Sequence, residues 1–155
     1  ADSDQQPREL VKLDMVLEEA IRELSLQDSE TIHIVTLVQG LPAVRYVAAQ
    51  IRLVFRNILH NARDAMPDGG TIEIAGEQVG GWVAVMVKDN GTGMNEEDLR
   101  NAINPFFTRK EIGQGIGLGL TVAYNIMQHH GGELLIDSTT GKGTVVTLRF
   151  PVNPA

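Results

Sequence analysis

Two stretches of alternating apolar and polar residues, 71–77 and 82–88, flank the pair Gly80-Gly81. A period of two sends successive side chains to opposite faces of a strand, and two glycines supply the backbone angles of a tight hairpin turn. The chain therefore doubles back on itself at its middle. That disfavours a doubly wound parallel sheet, in which neighbouring strands need a helical crossover. A second hairpin is expected from 134–136 and 144–150, joined by the turn at 140–143. Helical spacing fills the rest. Residues 14–24 place Leu17, Ala20, Ile21 and Leu24 on one face, with Asp14 set to cap the first amides. Residues 31–38 are β-branched and stop at Gln39-Gly40-Leu41-Pro42, a strand and a turn. Residues 50–66 carry Ile51, Val54, Phe55, Ile58, Ala62, Ala65 and Met66 on one stripe before Pro67, Asp68, Gly69 and Gly70 end the helix. A short helix at 96–103, a loop with Pro105, and a helix over 117–130 ended by Gly131 and Gly132 follow. This order predicts an α+β fold: a two-layer α/β sandwich whose mixed, mostly antiparallel sheet has helices packed on one face.

At 155 residues the chain suits one domain. Residues 1–7 are polar, aperiodic and include Pro7, the signature of a linker; 8–151 form the expected domain and 152–155 a short tail. Zero cysteines exclude disulfides, thiolate metal sites and a cysteine nucleophile, and suit a cytoplasmic location. With 13 basic against 20 acidic residues the net charge is −7, unsuited to nucleic acid or anionic lipid. No apolar run approaches the ~20 residues of a membrane span.

Chemistry concentrates in three clusters. On the helix over 50–66, Asn57, His60, Asn61 and Asp64 share one face, where asparagine is a mediocre helix former. The face is either a solvated polar stripe or a set of oxygens aimed at a ligand, and an amide oxygen suits Mg²⁺ already partly neutralised by phosphate. Residues 88–94, KDNGTGM, put a carboxylate and two glycines at a strand end, which is an ordinary turn or a ligand site. Gly91 stands where an EF-hand needs an oxygen ligand, so calcium is not expected. Residues 104–120, NPFFTRKEIGQGIGLGL, space Gly113, Gly115, Gly117 and Gly119 at every second position before a helix. Four such glycines cost roughly 0.5–1 kcal/mol each relative to Ala, and free amides at a helix start bind phosphate. The segment is neither a P-loop, which needs Gly-Lys-Ser/Thr, nor a dinucleotide fingerprint, which needs a strand directly before it.

Taken in order, NILHNARDAM, DNGTGM, NPFFTRK, GQGIGLGL and the closing GKGT resemble the N box, first glycine box, F box, second glycine box and terminal Gly-Thr of the histidine-kinase ATP-binding domain, with its Bergerat-type fold. That superfamily includes gyrase, MutL and the ninety-kilodalton heat-shock chaperones. The DAM ending and short PFFTRK loop are similar to the nitrogen-regulation-like subclass. The resemblance implies ATP and Mg²⁺. Asn61 would coordinate the metal, with Asn57 lining the same site and Asp64 on the same cofactor-binding face. Asp89 would accept the amino group of adenine, Gly91 and Gly93 would let the base approach, and Thr144 would support the pocket through a hydroxyl or a water. Phe106, Phe107 and the segment to 117 would form the lid, with Gly115, Ile116, Gly117, Leu118 and Gly119 near the phosphates. Arg109 or Lys110 would offset phosphate charge, Lys110 joining Asn57 and Asn61 as catalytic residues. Asn104 and Arg109 depart from the common Glu and Thr of the lid.

Hydrolysing relatives carry a glutamate general base where Asn57 stands, and an amide has no comparable basicity. The resemblance therefore favours phosphoryl transfer over a gyrase/MutL-type hydrolytic switch. A nucleotide-dependent partner-binding or anti-sigma-like serine kinase module is the other alternative. None of His33, His60, His129 and His130 has the context of a phosphoacceptor; His129 and His130 end a helix, where positive charge is favourable. The implied partners are a histidine-bearing dimerisation domain of the same parent protein and a response regulator, with this chain a monomer that touches neither nucleic acid nor membrane.

Overall fold

The computed structural model describes residues 7–28, 31–38, 40–102 and 118–152. In chain order the elements are β1 (Glu9–Lys12), α1 (Leu13–Asp28), β2 (Ile32–Val38), β3 (Ala43–Tyr46), α2 (Ala48–Asp64), β4 (Gly70–Val79), β5 (Trp82–Asp89), α3 (Glu96–Asn101), α4 (Leu118–His129), β6 (Glu133–Thr139) and β7 (Gly143–Pro151). Both expected hairpins are present. β4 and β5 pair from Val79↔Trp82 to Ile72↔Asp89, and β6 and β7 from Glu133↔Arg149 to Thr139↔Gly143. The five-stranded sheet has the order β2-β4-β5-β7-β6, antiparallel except for β2 and β4.

One face of this sheet holds the core. Ile72 and Ile74, Val83, Val85 and Val87, and Val146, Leu148 and Phe150 are buried at alternate positions and meet Ile51, Val54, Phe55 and Ile58 of α2 with Leu120, Ala123 and Met127 of α4. Phe55 and Phe150 pack with their rings tilted and centroids 5.8 Å apart. The opposite face is open, leaving Met86 and Leu135 exposed. Among the described residues no helix is long and apolar enough to cross a membrane.

Three features differ from the sequence reading. A separate two-stranded sheet, β1 with β3, closes the top of the core through Val11, Val44 and Tyr46. Asp14 lies inside the first turn of α1, its carboxylate accepting from the Met15 N–H, since the helix starts at Leu13. His130 is buried rather than a charged helix end: its Nδ1 is 2.9 Å from the Ile126 carbonyl and its Nε2 accepts the Val47 N–H at 3.2 Å. A carbonyl only accepts and an N–H only donates, so the ring is the neutral Nδ1–H tautomer. Tyr46 stands edge-on to it at 4.9 Å and donates its hydroxyl to the Pro151 carbonyl at 2.7 Å.

Burial holds His130 below its ordinary value of 6.5, and Arg8 and His129 push the same way. A depressed histidine favours the folded state above its unfolded pKa, and the advantage is lost as pH falls through 6.5 toward the folded value. Urea denaturation from about pH 7.5 to 5 should therefore show falling stability, and His130→Gln should flatten the slope. Burial also lowers His60, which accounts for the slope that remains. An unchanged slope in His130→Gln refutes the assignment.

Candidate functional site

β5 ends at Asp89, and the strand registers set Ile72, Asp89, Thr144 and Ser138 side by side on β4, β5, β7 and β6. Because Val83, Val85 and Val87 point into the core, the period of two carries Asp89 to the same face. Asp89 is 3% exposed and Thr144 4%. Burial raises the Asp89 carboxyl above its ordinary 3.8, and backbone N–H groups of Gly91 and Thr144 pull it part of the way back. The Gly91 bond is 2.9 Å. Among the described residues no cation pairs with this carboxylate. A buried acidic group without a countercharge opposes folding, which marks it as a group kept for a ligand.

The loop behind Asp89 is locked on three sides. Thr92 donates its N–H to the Ala65 carbonyl at the end of α2 (3.0 Å) and accepts the Gly141 N–H of the β6–β7 turn (2.7 Å). Asn90 Oδ1 accepts the Thr71 N–H at 3.0 Å. A Cβ at Gly91 would strike the Ala65 carbonyl, and Gly93, at φ 72°, lies against the Thr139 carbonyl. Both glycines are therefore demanded first by contact between backbones.

On α2, Asn57 and Asn61 are half-buried, whereas Asp64 is exposed and its Oδ1 accepts from Arg63 Nε at 3.3 Å. The Asn61 carbonyl accepts the Ala65 N–H at 3.1 Å, which puts Asn61 one turn before the residue that anchors the loop. Its side-chain Oδ1 is buried with no hydrogen-bond partner among the described residues. An unmet buried acceptor costs about 1–3 kcal/mol, so the atom fits a ligand that supplies positive charge. Among the described residues no group of three His, Asp or Glu side chains makes a metal cage. A hard amide oxygen on Asn61 accordingly suits an ion that brings other ligands with it, as phosphate-bound Mg²⁺ does. His60 on the same helix is held below its ordinary value by burial, then by Arg63 and Arg56.

The fold thus gathers Asp89, Gly91, Gly93, Thr144 and, one helical turn from the loop anchor, Asn61. Phe106, Phe107, Arg109, Lys110, Gly115, Ile116 and Gly117 lie outside the described residues. Leu118 and Gly119 open α4, which packs beside α2. Ser138 escaped the sequence reading: its hydroxyl accepts the Met94 N–H and touches Thr144 Oγ1, and only the strand register brings it to the site. A surface cleft of about 260 Å³ between α1 and α2 is lined by the Arg52–Glu19 and Arg56–Glu23 pairs and holds none of these groups.

Residues 46–154 match the family described as histidine kinase-, DNA gyrase B-, and HSP90-like ATPase. The chain is 41% identical over 117 residues to sporulation kinase E of Bacillus subtilis (strain 168), covering 75% of this chain and 16% of that protein. It is 43% identical over 102 residues to sporulation kinase A of the same organism, covering 66% and 16%. A structure of the catalytic domain of histidine kinase ThkA superposes with a TM-score of 0.83 at 26% identity, covering 95% of this chain and 97% of that one. The chain spans about a sixth of the length of these two kinases.

Backbone contact at Gly91 makes a measurable demand. Gly91→Ala should destabilise the domain by about 1–3 kcal/mol in urea titrations, the cost of forcing an extra carbon into a packed site. Gly81→Ala, with nothing within 4 Å of the added carbon, should shift stability by no more than about 0.5 kcal/mol. Equal effects at the two positions would show that the Ala65 contact is not what requires glycine.

Proposed function

The chain belongs to the histidine kinase-, DNA gyrase B-, and HSP90-like ATPase family, and from that membership we propose that residues 8–151 act as the ATP-binding catalytic domain of a two-component sensor histidine kinase. One observation carries the reading: a buried carboxylate without a countercharge at the sheet end and an unmet amide oxygen on the facing helix, joined through Ala65 and Thr92. Asp89 accepts the exocyclic amino group of adenine; it rejects guanine, whose carbonyl offers no hydrogen. Asn61 would hold a phosphate-bound Mg²⁺ through its amide oxygen, with Asn57 and Asp64 on the same face. Bound Mg²⁺ neutralises phosphate charge and polarises the transferring group.

The rest is positioning. Phosphoryl transfer asks the protein for little covalent work and much alignment. Backbone amides of Gly115, Ile116, Gly117, Leu118 and Gly119 would face the phosphates, Phe107 would belong to the lid, and Arg109 and Lys110 would offset the charge that builds on the γ-phosphoryl group. The Asn57 amide cannot deprotonate water, so transfer to a protein histidine is favoured over a gyrase/MutL-type hydrolytic cycle. The acceptor belongs to a separate dimerisation domain of the parent protein. His130 cannot serve, since both its ring nitrogens are engaged inside the fold. A response regulator then receives the phosphoryl group. The short PFFTRK loop supports a nitrogen-regulation-like parent, soluble or membrane-anchored, with this domain monomeric and on the cytoplasmic side.

Titration calorimetry should show binding of ATP and not GTP, loss of binding in Asp89→Asn, and loss of the Mg²⁺ dependence in Asn61→Ala. Radiolabelled ATP should leave no label on this chain alone. Brisk phosphate release would promote the hydrolytic switch, and no nucleotide binding at millimolar concentration would promote the partner-binding module.

A further inference from the structure

Ser138 lies across from Thr144 in the β6–β7 register, and Thr144 across from Asp89 in the β5–β7 register. Three polar groups meet the Ser138 hydroxyl: the Met94 N–H at 2.8 Å, the Gly143 carbonyl at 3.1 Å and Thr144 Oγ1 at 2.7 Å. A hydroxyl has one proton and two lone pairs. The Met94 N–H can only donate and the Gly143 carbonyl can only accept. Ser138 therefore gives its proton to Gly143 and one lone pair to Met94. Its second lone pair accepts from the Thr144 hydroxyl. This single assignment satisfies all three contacts.

We propose that Ser138 is a positioning residue that draws the Thr144 proton away from the site, so that Asp89 and Thr144 together present only acceptors to the nucleobase edge. Such an edge selects a base that offers hydrogens there, directly or through a water, as an aminopurine does and a carbonyl purine does not. Ser138 also ties the end of the Asp89 loop to β6 through Met94, so the Thr144 acceptor and the loop are set by one hydroxyl. The inference rests on the ATP-binding reading above and adds to it a residue outside the recognised motifs.

The test compares ATP with purine riboside triphosphate, which lacks the amino group, on wild type, Ser138→Ala, Ser138→Thr and Thr144→Val, each checked for folding by thermal melting. Ser138→Ala should weaken ATP about 5–10-fold, the size of one net hydrogen bond, and the analogue by less than about twofold. Ser138→Thr, which keeps the hydroxyl, should restore ATP affinity to within about threefold of wild type. In a Thr144→Val background the ATP-specific part of the Ser138→Ala effect should vanish, because its partner is gone, leaving at most the loss of about twofold, shared by both nucleotides, from the Met94 tie. Equal weakening of both nucleotides would reduce Ser138 to a structural tie for Met94, and a folded Ser138→Ala with wild-type ATP affinity overturns the proposal outright. If wild type binds neither nucleotide, the ATP-binding reading falls on its own. A nucleotide-free readout still decides the role of Ser138: ¹³C NMR should find the Asp89 carboxyl titrating lower in Ser138→Ala, since the released Thr144 hydroxyl turns its proton toward it. An unchanged titration overturns the assignment.

Discussion

The structure hinges on Thr92. Its N–H is spent on the Ala65 carbonyl at the end of α2, and its carbonyl on the Gly141 N–H between β6 and β7. One residue thereby fastens the helix layer to the sheet layer. α2 could slide along the sheet on apolar contacts alone, since hydrophobic burial is nearly non-directional. Two short hydrogen bonds through a residue in a locked loop remove that freedom. They fix the distance between a side chain at the end of β5 and one a turn inside α2, and the candidate site consists of that distance. Gly91 and Gly93 follow from it, because backbones this close leave no room for a Cβ.

Asp89 stands at odds with the stability of the fold. Its neighbours on β5 are valines, and its own carboxyl is desolvated enough that two backbone donors do not return it to its ordinary value. An isoleucine in the row, as at Ile72 on β4, would serve the core better. The same logic covers Asn61, whose amide oxygen is buried without a partner among the described residues. A buried carboxylate without a countercharge and an unmet amide oxygen near one loop anchor are more informative together than either alone. A fold optimised for stability would have satisfied or removed both.

Much of this was legible in the sequence where the signal is local. The stripe of α2, the two hairpins and the helix over α4 rest on periodicity within single segments, and their observed bounds move by only a few residues. The site residues Asp89, Asn61 and Thr144 were legible through motif resemblance. What was not legible is tertiary. β1 and β3 are four-residue strands whose pairing joins positions 31 or more residues apart, and neither has room to display a period. His130 reads in sequence as a helix-end cation, yet the meeting of α4 with the start of α2 buries it and fixes it neutral. Ser138 sits in a run, Ser138-Thr139-Thr140, that looks like any polar turn, and its partners Met94 and Thr144 become neighbours only through register.

The burial of His130 bears on the site although it lies at the far end of α2. The N-cap position of that helix is Val47, which offers no side-chain cap. The ring of His130, from the end of α4, accepts the Val47 N–H in the place where a capping-box glutamate would usually reach back. At the other end the Ala65 carbonyl, left over when the helix stops, is taken by Thr92. α2 is thus held at both termini by groups from other elements, so its register along the sheet is a property of the whole fold. Asn61 inherits that fixity. A side chain mounted on a helix pinned at each end loses little conformational freedom when a ligand arrives. Such fixity suits the roles proposed for Asn61 and Asp89, which ask for acceptors already in place before the ligand arrives.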